Sequence, residues 1–301
     1  RINMALQSYA SPVQKTYYYA YLFFCGVVFF FLIAPLIAIV PISFSVSPFM
    51  VFTDEMLTWP PNPEAWSLRW YQNMIGNCSA DVVSSTVPCS NKWMIGTVNS
   101  FFIGFTSTFI ATTLGTMAAL GLSRPHMPYK GLIMAILISP MIVPLIITAA
   151  GMFFFYARVN LVYTFTGVIL AHVALATPFV VITVTATLVG FDMNMVKASQ
   201  SLGAKPMRTF FKVIMPLILP GIISGALFAF ITSFDEVVIV MFMASLDQLT
   251  IPKQMWAGIR QEISPVILCM ATCLVALSIF LLTTVELLRR RSEKLRGIKA
   301  R

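Results

Sequence analysis

Charge is what this chain has least of. Asp, Glu, Lys and Arg make up 10% of its 301 residues, against about 25% in an average soluble domain. With 58% hydrophobic residues there are too few polar groups to clothe a water-facing surface. A soluble globule is excluded and a membrane protein is predicted. Catalytic signatures are missing as well. No Gly-x-x-x-x-Gly-Lys phosphate loop is present, so the chain cannot be its own ATPase. There is no His-Glu-x-x-His metal motif and no Gly-x-Ser-x-Gly nucleophile. His126 and the scattered acids make no catalytic constellation, which leaves a membrane-embedded enzyme as a distant alternative. The five cysteines form no metal pattern. Cys25, Cys269 and Cys273 lie in apolar stretches and read as small packing residues.

Long hydrophobic runs are what the chain does have. Six read as spans, roughly 17–44, 94–122, 131–155, 164–190, 214–244 and 264–288, each at or above the length of about 20 residues that a bilayer core needs. Lys and Arg orient them. The segments before the first span, between two and three, between four and five, and after six hold 15 of the 20. The other side holds Arg69, Lys92, Arg158, Lys253 and Arg260. Both termini are therefore expected in the cytoplasm, with Arg289, Arg290 and Arg291 the strongest anchor. The net charge of +9 is a topology signal and gives no support for nucleic-acid binding. Nothing at the N-terminus reads as a cleavable signal, and Arg1 implies that the natural start lies upstream.

Prolines interrupt several spans: Pro35 and Pro41 in the first, Pro140 and Pro144 in the third, Pro178 in the fourth. Each removes a backbone donor and tends to kink its helix. Small residues recur every four positions, as Gly221, Gly225, Ala229 and Ser233 in span five and Ser100, Gly104, Thr108 and Thr112 in span two. Such stripes predict close helix–helix packing without naming the neighbour. In the outer loop, Trp59, Trp66, Trp70 and Tyr71 are expected along the lipid–water surface, a docking surface for an external partner being the alternative. His172 reads as a hydrogen-bonded packing residue, and Arg158 as a headgroup contact.

The segment between spans four and five carries the most specific pattern. It runs Lys197-Ala198-Ser199, three residues, Gly203, nine residues, then Val213-x-Met215-Pro216. Asp192 is a good N-cap for a short helix, with Ala198, Ser201 and Leu202 on one face. Gly203 can end that helix in the left-handed conformation, and Pro206 suits the first turn of another. Phe210, Phe211 and Ile214 give the second helix an apolar side. The spacing resembles the EAA loop of ABC-importer permeases, with Lys197 in place of the acidic residue. The resemblance extends from about Ala34 to Glu286. It is carried by Ser67-Leu68-Arg69-Trp70-Tyr71, Ser139-Pro140, Thr177-Pro178-Phe179-Val180-Val181, Gly190-Phe191-Asp192 and Ser233-Phe234-Asp235-Glu236-Val237-Val238. Within that superfamily the chain is most similar to the second permease of the spermidine/putrescine-type importers.

That resemblance implies an all-α inner-membrane protein with the type I importer transmembrane fold. Residues 1–16 would be a cytoplasmic segment and 17–288 one permease domain, with an outer loop at 45–93 and a cytoplasmic coupling loop at 191–213. Residues 289–301 would form a basic tail. The ATPase-coupling residues would be Asp192, Lys197, Ala198, Ser199, Leu202, Gly203, Ala204 and Pro206. The implied partners are a second homologous permease, two ATPase subunits, a periplasmic solute-binding protein and membrane lipid. No cofactor or metal is expected in this chain, ATP and Mg belonging to the ATPases. The expected cargo is a polyamine or related amino cation, with a non-amine solute as the alternative. An ion-driven carrier is the remaining class, although no inverted repeat is visible and six spans are few for one.

Asp235 and Glu236 are the candidate pathway or gate residues. Helical rise places Asp235 about 22 Å beyond Pro220, inside the hydrocarbon layer, where a carboxylate is costly and faces a cavity or a partner. Successive helical residues diverge by about 100°, so only one of the two faces the pathway unless the helix is locally broken. An oxidising periplasm would permit a Cys78–Cys89 disulfide, two free thiols being the alternative.

Overall fold

The structure, a computed structural model, describes residues 11–60, 62–77, 91–124, 126–189, 194–261 and 264–295, with the backbone alone at 281 and 284–295. Among the described residues thirteen α-helices follow in order: α1 Pro12–Ser43, α2 Asp54–Leu57, α3 Arg69–Met74, α4 Lys92–Leu122, α5 Lys130–Ile142, α6 Leu145–Arg158, α7 Phe165–Val189, α8 Asn194–Ser201, α9 Pro206–Thr209, α10 Met215–Phe234, α11 Val238–Met243, α12 Ile251–Gln261 and α13 Val266–Leu295. Among the described residues four helical stretches are long and apolar enough to cross a membrane, namely α1, α4, α7 and Pro206–Phe234. The pair α5 and α6 makes a fifth if its 102° bend is counted within one span. The apolar part of α13, Val266–Phe280, is shorter. The described residues form two packed units, one within Arg1–Ser90 and Gly258–Arg301, the other within Asn91–Ala257.

In the first unit, Ser11 and Gln14 close a capping box over the start of α1, with Pro12 in the first turn. Among the described residues, Ser43 is the one residue of α1 that is buried, the rest being exposed or partly covered. A helix that is apolar all round belongs in lipid or against another protein. Its far end is clasped by the segment around α3. Ser67 N–H donates to Phe44 O at 2.7 Å and Val46 N–H to Ala65 O at 3.2 Å. The Trp70 indole donates to Ser45 O at 2.9 Å, the Arg69 guanidinium bonds Val46 O, and Tyr71 shares a hydrogen bond with Ser43 at 2.7 Å. The surface expectation is therefore corrected for Trp70, which is 1% exposed, whereas Trp59 is 91% exposed. An indole can be buried when its N–H finds an acceptor, and Ser45 O supplies one.

The second unit is built on α7, packed by α4 and α10. Val180 sits between two glycines: a Cβ on Gly115 of α4 would lie 2.7 Å from the Val180 Cβ, and one on Gly225 of α10 would lie 3.0 Å from its Cα. The Gly221 position abuts Thr187 and Thr183 in the same way. The α10 stripe Gly221, Gly225, Ala229 and Ser233 is wholly buried, and α7 is the neighbour that the sequence did not name. The α4 stripe holds for Ser100 and Gly104 and then shifts to Ser107, Ala111, Gly115 and Ala119. Four residues turn a helix by about 400°, some 40° past a full turn, and the single three-residue step from Gly104 to Ser107 turns the stripe back toward the interface. His172 lies 1% exposed between the helices, its Nδ1 2.8 Å from Ser233 Oγ.

Two expected spans are broken. The third bends between α5 and α6 at Val143-Pro144, where Val143 is extended (ψ 136°), the conformation a following proline imposes. Pro35, Pro41, Pro140 and Pro178 all stay inside helices. The fifth ends as α10 at Phe234 and resumes as α11 at Val238, so 214–244 is not one continuous helix.

Candidate functional site

Two places hold the sequence-derived candidates. In the first, α8 ends at Ser201 and is closed by Gly203, whose φ is +78°. Ala204 N–H donates to Ser199 O at 3.1 Å and Gly203 N–H to Gln200 O at 2.9 Å. This is the paired closure of a Schellman cap, which needs a residue that tolerates positive φ. The chain re-enters helix at Pro206, the first residue of α9, where its missing N–H is not required. Ser199 Oγ lies 3.0 Å from Thr209 Oγ1 and so ties α8 to α9. The outward side carries Lys197, Ala198, Ser201 and Gly203, with Leu202 88% exposed. The loop thus brings together Lys197, Ala198, Ser199, Leu202, Gly203, Ala204 and Pro206. Asp192 lies outside the described residues, as do Cys78 and Cys89.

Exposed apolar side chains lie beside the motif residues, and of these the sequence had named only Phe211. Met195, Met207 and Phe211 are 42%, 68% and 57% exposed. Exposed methionines next to a short helix are a signal for an adaptable contact surface. Phe210–Ile214, the link into α10, is a turn of π-helix, a form frequent at functional sites.

The second place is the break in the fifth span. Glu236 is buried, and its Oε1 accepts from Ile239 N–H at 2.8 Å, capping the first turn of α11 with negative charge where the helix dipole favours it. The other end of α11 is met by Lys253, whose Nζ donates to Ala244 O at 2.9 Å and Val240 O at 3.4 Å. Burial holds the Lys253 ammonium below its ordinary pKa. Tyr163 N–H donates to Met243 O at 2.8 Å. The segment that follows α11 is tied to α4. Asn99 donates to Asp247 O at 2.7 Å and Leu249 O at 2.9 Å, and Ser100 accepts from Ile251 N–H at 2.9 Å.

Asp235 has a different fate. It is exposed, at the C-cap of α10. The break separates two adjacent carboxylates into one that holds backbone and one that faces outward. Lys253 was not a sequence candidate. Its contacts come from 13 and 9 residues away through a turn that no motif predicts.

Comparison with known proteins agrees with this architecture. Residues 111–294 match the family "Binding-protein-dependent transport system inner membrane component", a stretch that includes both places. The chain is 27% identical over 269 residues to the spermidine/putrescine transport system permease protein PotC of Haemophilus influenzae, covering 89% of this chain and 96% of that protein. It is 28% identical over 252 residues to the putrescine transport system permease protein PotI of Escherichia coli, covering 81% of each. Among solved structures, a bacterial ABC transporter involved in the import of the acidic polysaccharide alginate superposes with a TM-score of 0.72 and 13% identity, over 93% of this chain and 99% of that one. The fold is that of an ABC-importer transmembrane subunit. The chain belongs to the binding-protein-dependent transport system inner membrane component family, as a non-catalytic, multi-pass inner-membrane permease that works with an ATPase and a solute-binding protein.

Proposed function

We propose that this permease forms half of the translocation pathway for a polyamine or related amino cation, the other half being a second homologous permease. Six spans, with α13 as the sixth, place both termini and the α8–α9 loop in the cytoplasm. Two ATPase subunits bind there, with α8 as the coupling helix, and a periplasmic binding protein delivers solute to the outer loops. One observation carries the coupling assignment. The short helix α8 ends in a glycine-dependent cap, is pinned to α9 by Ser199 and Thr209, and keeps Leu202 and its neighbours uncovered. A pinned helix with an apolar tip can transmit motion from a subunit that grips it.

The cargo reading draws on the polyamine names of the relatives and on Asp235. The alginate importer carries an acidic cargo on the same fold, so the fold does not fix the sign of the cargo, and Asp235 is the group of this chain that would favour a cation. The test is ATP-driven uptake by the importer rebuilt in proteoliposomes with its binding protein. Gly203→Asp should abolish spermidine uptake while the complex still assembles, because Cβ finds open space there and Asp tolerates positive φ better than most residues. Normal uptake with normal assembly would reject the coupling role. Asp235→Asn should lower uptake, and wild-type rates at every substrate concentration would remove it from the pathway.

A further inference from the structure

Just before Asp235 in sequence, α10 meets α4 through four aromatic rings, of which Phe105 is the most exposed. Phe101 and Phe105 lie one turn apart on α4, and Phe230 and Phe234 one turn apart on α10. Their centroids close a circuit: 5.9 Å from Phe101 to Phe105, 5.0 Å on to Phe230, 5.4 Å to Phe234 and 5.3 Å back to Phe101. Three of the four interplanar angles are between 22° and 33°, so the faces are roughly aligned instead of interlocked edge to face. Gly104 makes room for this. The Phe230 ring comes within 3.1 Å of where its Cβ would be, and the Phe234 ring within 3.8 Å. Phe105 is 62% exposed, and the other three are half-buried.

The next residue after Phe234 is Asp235, exposed, while the adjacent Glu236 is occupied by the cap of α11. Neither 99–110 nor 222–237 contains a Lys, Arg or His, so no basic residue on these stretches balances that carboxylate. An aromatic face carries negative potential and attracts ammonium groups, with Lys-like cations held more strongly as water is removed. Lipid tails offer nothing to an exposed carboxylate that follows Phe234 at the end of α10, and intramembrane carboxylates are costly enough to imply a partner.

We propose that Phe101, Phe105, Phe230, Phe234 and Asp235 form a subsite for the ammonium groups of an alkyl polyamine along its route. The methylene segments lie on the rings, the ammonium groups sit over ring faces, and Asp235 holds the leading charge. This rests on the amino-cation reading above. It adds four residues that the sequence did not single out as pathway candidates.

The test replaces all four phenylalanines by leucine in the assembled importer, which keeps apolar bulk and removes the ring potential. With wild type taking up spermidine, the quadruple variant should show about tenfold lower uptake at unchanged complex yield. Unchanged uptake would overturn the subsite and leave the importer reading intact. A wild type that hydrolyses ATP yet carries no polyamine would overturn the cargo reading and the subsite with it. A second measurement covers loss of assembly. Phe105→Cys in the otherwise native complex should react with a water-borne cationic thiosulfonate, above the unsubstituted background, and millimolar spermine should protect it. Labelling only by a lipid-soluble maleimide, or none, means that lipid or the second permease covers the rings, and overturns the proposal. Labelling that spermine does not slow overturns it equally.

Discussion

Between Ser201 and Pro206 the chain leaves one helix for the next through a glycine at φ +78°, with nothing within 4 Å of its missing Cβ. Between Phe234 and Val238 it makes a similar interruption with no glycine. There a buried carboxylate caps the new helix and a lysine from α12 closes its far end. The first interruption is held by the backbone within six residues and leaves its side chains outside. The second is held by side chains and leaves one carboxylate exposed. Local chemistry suffices to end a helix at a water-facing loop, where carbonyls left over can be hydrated. Inside an apolar span every freed N–H and C=O needs a partner from the protein, so the break must be built from tertiary contacts.

Substitutions that treat the two interruptions differently sharpen this contrast. Glu236→Ala leaves the buried Ile239 N–H without its acceptor and should destabilise the purified complex most, by about 2 kcal/mol, read as a lower midpoint of thermal unfolding. Glu236→Gln keeps an acceptor oxygen and should recover most of the loss. Equal losses for Ala and Gln would place the effect in charge instead of capping. Lys253→Met should follow at about 1 kcal/mol, since its stem can still pack while two carbonyls lose their donor. A midpoint equal to wild type would show that α11 does not depend on that cap. Gly203→Ala puts a Cβ at positive φ in open space and should cost about 1 kcal/mol, confined to α8 and visible as faster amide exchange there. Asp235→Asn should leave the unfolding midpoint unshifted while lowering uptake. A stability loss as large as that of Glu236→Ala would erase the distinction between the two carboxylates.

The loop was legible because its signals act over a few residues. Gly203 and Pro206 report backbone dihedrals directly, and the α10 stripe reports a helical face that stays in register for three turns. The break at 235–237 was not legible as such. Its one local clue is an acidic residue three positions before a helical N–H, Glu236 before Ile239, embedded in an apolar run that reads as continuous helix. The π-helical turn at Phe210–Ile214 and the burial of Trp70 were hidden for the same reason. Each depends on which carbonyl or side chain arrives from elsewhere.

From residue order alone follow the membrane class, the presence of long apolar runs, the glycine and proline that shape the α8–α9 loop, and the cost of placing two carboxylates in a span. These are properties of side-chain transfer energy and of backbone dihedrals, which each residue carries with it. Only the tertiary structure decided that Val180 is gripped by two glycines, that Glu236 binds backbone while Asp235 stays exposed, and that four phenylalanines from two helices share one face. Those outcomes depend on the distance between atoms far apart in sequence, and packing sets that distance.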